Sequence, residues 1–163
     1  MLVLTGKETA QEVISLSYGL EEGLHKFYAA CADLAVEPEV GQLLSKLAEI
    51  EVRHREKLFN AYLEIESDPL DRKTFEADIN TEMTEGGFSV NELLGRHQST
   101  FNSSPAVLNF AMMLEAQAMD LYMRYADKCE DSTVKAVLFK MAEEEKAHLK
   151  SLGDLLGKQV NLK

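Results

Sequence analysis

The residues best suited to chemistry in this sequence are acids and histidines that recur at one spacing. Glu21 is followed thirty residues later by Glu51, and three residues after that by His54. Glu115 is followed in the same way by Glu145 and His148. Carboxylates are hard oxygen ligands and neutral imidazoles borderline nitrogen ligands, a mixture that suits iron or manganese better than copper. No cysteine joins the set, which disfavours a structural zinc site. The ordinary place for a helical glutamate is the solvated face, and ionised groups are seldom buried without partners. Four glutamates and two histidines converging on a core would find that partner in a pair of metal ions.

Convergence requires elements that hold all six at one height. Helical periodicity predicts helices over about 5–34, 38–66, 105–128 and 133–156, in a single domain spanning 1–163. Their start signals are a capping box at Thr5–Glu8, Pro38, Ser104 as a cap before Pro105, and Ser132 as a cap; Gly157 is a stop signal. Helices one and two, and three and four, are joined by only a few residues, so each pair is an antiparallel hairpin. The connection over about 67–104 is long enough to travel the length of a bundle, and Ser89–Glu92 reads as a capping box for a short helix near Val90–His97. Hairpin, crossover, hairpin is the ferritin-like order of an all-α four-helix bundle.

The two hairpins are copies. A shift of 94 lays Glu21, Tyr28, Glu51 and His54 on Glu115, Tyr122, Glu145 and His148, along with several leucines and alanines, without a gap. The first hairpin turns near Val36 and the second near Glu130, so all four glutamates lie fifteen residues from a turn. At about 1.5 Å per residue that is roughly 22 Å up each helix, which puts the four carboxylates in one layer. Glu21 falls on the apolar stripe of Ile14, Leu24 and Tyr28, and the i,i+3 step aims Glu51 and His54 the same way. A Glu from each of two helices and Glu-x-x-His from each of the other two is the pattern of dinuclear carboxylate bundles.

The composition narrows the partners. A formal charge of −11 repels phosphate backbones and anionic membrane surfaces, so neither nucleic acid nor membrane is expected. The start has no basic n-region and long apolar core, and no apolar run approaches membrane-spanning length. With Cys31 and Cys129 forming no CxxC or disulfide framework, a cytoplasmic location is the expectation.

The motifs "LEEGLHKFYAACAD" and "LEAQAMDLYMRYAD", with "LAEIEVRHREKL" and "MAEEEKAHLKSL", closely resemble the four helices of the rubrerythrin-like branch of the ferritin-like superfamily. The resemblance covers nearly all of the chain outside the central connection. It implies two iron ions, with manganese or a mixed pair as variants. Glu21 with His54 would serve one ion and Glu115 with His148 the other, while Glu51 and Glu145 bridge. It implies that Tyr28 and Tyr122 hydrogen-bond to the ligand carboxylates. Typical rubrerythrins have a further glutamate one turn after the third-helix ligand, where this sequence has Ala118, and a rubredoxin domain with two CxxC pairs, which this sequence lacks. The expected ligand set is therefore the six-residue one, nearer to bacterioferritin and other di-iron oxidases.

The activity that the resemblance implies is that of an oxidoreductase reducing peroxide or dioxygen at the dinuclear centre. Electrons would come from a separate donor protein or from Fe²⁺ itself, and the expected assembly is a homodimer or small homo-oligomer. The alternative is a ferroxidase or iron-storage protein. Other polar residues are discounted: Glu22 lacks the register of Glu21, and His25 has Met119 as its repeat mate. Glu49, Glu143 and Glu144 are expected to face solvent, and His97 to lie exposed in the crossover.

Overall fold

The computed structural model describes residues 8–84, 89–100 and 103–161, without the side chains of residues 96–100. Among these the chain forms six helices: α1 (Ala10–Leu34), α2 (Pro38–Ile65), α3 (Arg72–Ala77), α4 (Val90–Thr100), α5 (Ser104–Lys128) and α6 (Ser132–Asn161). The architecture is an all-α, ferritin-like bundle. The long helices α1, α2, α5 and α6 form it, and α3 and α4 lie in the crossover.

Local chemistry sets the helix ends. The first helix begins with a capping box between Thr9 and Glu12, in which each side chain bonds the other's backbone N–H. The box expected at Thr5–Glu8 is not the one that starts the helix: Glu8 precedes Ala10, and Thr5 lies outside the described residues. Ser104 is the first helical residue of α5 rather than its cap, and its hydroxyl donates to Glu37 in the α1–α2 turn. In α6 the cap is Asp131, whose Oδ1 accepts from the backbone of Thr133 and Val134 at 2.9 and 3.0 Å, so Ser132 is displaced from that role. Gly157 does not stop α6, which runs on to Asn161.

The Ser104–Glu37 bond fixes the topology. It places the start of α5 beside the turn between α1 and α2, so the crossover has climbed the full length of the bundle. On the way α3 presents Phe75 to the rings of Tyr18, Phe59 and Tyr62, at centroid distances of 5.3, 5.2 and 4.6 Å. Residues beyond α3 then run along α1 over two glycines. A Cβ on Gly19 would lie 2.2 Å from the Asn80 carbonyl oxygen, and one on Gly23 2.0 Å from that of Met83. Only glycine admits backbone this close. Lys26, one turn further along α1, bonds the Thr81 carbonyl and hydroxyl and the Glu82 carboxylate.

The apolar core is divided into two blocks. One contains Tyr18, Leu58, Tyr62, Leu121, Leu138 and Met141. The other contains Leu24, Phe27, Leu44, Leu93, Leu108 and Leu152. On every long helix the change from one block to the other falls where a candidate ligand sits: Glu21 between Leu20 and Leu24, Glu51 between Ala48 and Leu58, Glu115 between Leu114 and Ala118, and Glu145 between Ala142 and Leu152. A single charged layer is thus closed above and below by hydrocarbon. The two cysteines, Cys31 and Cys129, are free.

Candidate metal centre

Glu21, Glu51, His54, Glu115 and Glu145 are fully buried, and His148 retains 7% of its surface. All six meet in the layer between the two apolar blocks. Their potential ligand atoms fall into two overlapping sets, each within 4.8 Å: Glu21, Glu51, His54 and Glu145 in one, and Glu51, Glu115, Glu145 and His148 in the other. Glu51 and Glu145 belong to both.

The imidazoles are aimed by their surroundings. His54 Nδ1 faces Glu21 Oε2 at 3.1 Å, Glu51 Oε2 at 2.9 Å and Glu145 Oε1 at 3.2 Å. His148 Nδ1 faces Glu115 Oε2 at 3.1 Å and Glu145 Oε2 at 2.7 Å. The two rings stack at 5.8 Å between centroids. One ring nitrogen carries at most one proton, so it cannot satisfy three carboxylate oxygens. Glu51 Oε1 and Oε2 and Glu145 Oε1 accordingly accept no hydrogen bond from the described protein groups. Buried carboxylate oxygens without donors are costly, and a cation between them removes that cost. The donor set therefore fits a pair of hard cations, with oxygens and one imidazole for each.

Tyr28 and Tyr122 join the two hairpins through these carboxylates. Tyr28, on α1, donates to Glu115 on α5 at 2.6 Å. Tyr122, on α5, donates to Glu21 on α1. Because a shift of 94 exchanges both partners, the two bonds are copies of one contact seen from opposite sides. Burial, and then the charge of Glu115, raises the Tyr28 phenol well above its ordinary value, so it stays a donor.

The protonation pattern is that of charges crowded in a dry space. Burial, reinforced by Glu21 and Glu145, raises Glu51 well above the ordinary carboxylate range. Burial and the neighbouring Glu145 push Glu115 up to about 8. Glu145 is lowered: burial opposes its charge, but the proton shared from Glu115, the hydrogen bond from His148 and the charge of the His54 imidazole outweigh that. Burial also works against charge on the imidazoles, yet the carboxylates win. His148 rises to about 9 and His54 is held well above the usual histidine range.

Other polar residues take distinct places. Glu22 pairs with Arg55, away from the cluster. His25 donates from Nδ1 to the Ala48 carbonyl at 2.8 Å. Glu49 and Glu143 are exposed. The side chain of His97 lies outside the described residues. Glu144 does not simply face solvent: its Oε2 lies 2.9 Å from His54 Nε2 and also accepts from Lys57. The hydrogen bond from His54 is the main reason its carboxyl is lowered to about 2, helped by Lys57. Lys57 lies three residues beyond His54 on α2, but no spacing in the sequence points from either to Glu144.

Residues 106–162 match the family model for rubrerythrin. The chain is rubrerythrin-like. The match covers α5 and α6, and so Glu115, Tyr122, Glu145 and His148; the 94-residue repeat carries the likeness to α1 and α2. No curated protein matches the chain. Among the described residues of this rubrerythrin-like chain, no helix is long and apolar enough to cross a membrane.

Proposed function

We propose that the chain is a non-haem dinuclear-metal oxidoreductase, with iron as the metal and peroxide or dioxygen as the oxidant. The observation that carries this reading is the pair of overlapping four-residue sets that share Glu51 and Glu145, whose orphaned oxygens lie between them. Glu21 and His54 would hold one ion, Glu115 and His148 the other, and Glu51 and Glu145 both. A pair of reduced ions, when bound, supplies two electrons; peroxide takes these with two protons and leaves as two waters.

The protein's own contributions are positional. The apolar blocks above and below exclude water, so charges inside the layer interact more strongly than they would in solvent. Tyr28 and Tyr122 orient Glu115 and Glu21 from the opposite hairpin. Access is over His148, the only one of the six with exposed surface, which lines a cleft of about 400 Å³ between α2 and α6.

Protein loaded anaerobically with two Fe²⁺ per chain, mixed with peroxide or with air-saturated buffer in a stopped-flow instrument, tests the reading. Faster oxidation by peroxide than by air, ending at two irons per chain, is expected. Oxidation by peroxide no faster than by air sinks the peroxidase version. Continued consumption of added Fe²⁺ would instead mark a ferroxidase, with Fe²⁺ as the substrate and electron source.

A further inference from the structure

The 94-residue repeat makes the two half-sites copies in their ligands, but not in what stands behind them. His54 donates from Nε2 to Glu144, which Lys57 holds from the other side. The repeat mate of Glu144 is Ile50, an apolar side chain that lines the α2–α6 cleft beside His148. His148 Nε2 makes no hydrogen bond among the described residues, whereas its Nδ1 faces Glu115 and Glu145. One imidazole is anchored at both nitrogens and fully buried. The other is anchored at one and retains 7% exposure.

We infer that the two metal positions are unequal by construction: the His54 half-site is the tight one and the His148 half-site the weak, exchangeable one. The inference rests on the dinuclear reading above. A carboxylate that accepts the distal N–H of a ligating imidazole fixes the ring and its tautomer and raises the basicity of the nitrogen facing the metal. Glu144 performs this for His54. Lys57 holds that carboxylate in place from the other side, so the His54 ring is fixed at both nitrogens. Ile50 offers His148 no acceptor, so its ring is held at Nδ1 alone, and the cleft it lines gives the ion a way in and out. Glu144 is thus a positioning residue for one half-site, reached from the opposite hairpin.

Cobalt(II) titrated into the metal-free protein, followed by its visible absorption with bound metal counted by equilibrium dialysis, tests this without any turnover. Two ions are expected to bind in two resolved steps. His54→Ala should remove the tight step and His148→Ala the weak one. Glu144→Gln should weaken the tight step by about ten- to a hundredfold and leave the weak one unchanged. Lys57→Met should weaken the tight step less. Ile50→Glu should tighten the weak step. Unaltered far-ultraviolet circular dichroism is required of each variant; should Glu144→Gln fail to fold, Lys57→Met and Ile50→Glu carry the same test. Two ions bound to the wild type in one unresolved step, or equal loss from both steps in Glu144→Gln, would overturn the inequality while leaving the dinuclear site standing. Failure of the wild type to bind two ions would overturn both.

Discussion

At the scale of single residues, the ligand layer is stabilised by contacts that run between hairpins rather than within them. Tyr28 is close in sequence to Glu21 but bonds Glu115, and Tyr122 is close to Glu115 but bonds Glu21. Tyr28→Phe should therefore weaken metal binding at the half-site of Glu115 and His148, and Tyr122→Phe at that of Glu21 and His54. A loss of about ten- to a hundredfold is expected for each, with helical content unchanged. Metal titration of the two variants checks this, and damage confined to each tyrosine's own hairpin would contradict the crossing. The six acids and histidines were legible because two copies of one spacing select the same register twice. Glu144 was not. It stands immediately before Glu145, a step of about 100° around the helix, and its mate Ile50 gave it no echo in the repeat. What brings it to His54 is the approach of α2 to α6, with Lys57 opposite, and that contact belongs to packing rather than to pattern.

At the scale of elements, the crossover is fitted to α1 by glycine. Replacing a mid-helix glycine by alanine ordinarily stabilises a helix by about 1 kcal/mol. At Gly23 the added carbon would lie 2.0 Å from a backbone carbonyl oxygen, and a backbone obstacle cannot turn aside as a flexible side chain can. Gly23→Ala is expected to reverse the sign: urea unfolding should show a loss of stability, and limited proteolysis should cut the connection around residues 79–84 sooner than in the wild type. A gain in stability would mean that the connection leaves α1 readily. The hairpins and the crossover were legible from connection lengths. The α3 helix was not, since six residues offer too little periodicity, and its fold rests on the Asp71 cap and on Phe75 entering a cluster of rings. The helix starts show the same division. Thr5–Glu8 and Thr9–Glu12 both satisfy the capping-box spacing, and the choice between them falls on the second, immediately before the first buried turn of α1.

At the scale of the whole molecule, two apolar blocks hold together a layer that would fly apart if fully ionised. This crowding makes stability depend on pH. Glu115 titrates near 8 in the fold, above its ordinary range, so the folded state holds a proton that the unfolded chain has already released. His148 behaves in the same way up to about 9. Wherever the native state binds more protons, stability falls as pH rises. Metal-free protein should therefore lose thermal stability from about pH 4.5, where an ordinary Glu115 would release its proton, up to about 9, the raised value of His148. Glu144, lowered to about 2, acts oppositely, and its contribution is lost only as pH falls below the ordinary carboxylate range. Metal ions replace the protons, so loaded protein should show a flatter profile over that span and release protons on loading. Melting curves across pH, with and without metal, measure both. Glu51→Gln separates the cost of the layer from its purpose. Glu21 and Glu145 repel the Glu51 carboxylate, so a neutral amide of the same shape should raise the melting temperature of the metal-free protein at alkaline pH. The same change removes a ligand shared by both sets, so most of the metal-induced rise should vanish. A variant less stable than the wild type without metal would show that the layer is held by hydrogen bonds rather than strained by charge. A variant more stable without metal and indifferent to it would mean that the fold carries this charge for the sake of the ions it holds.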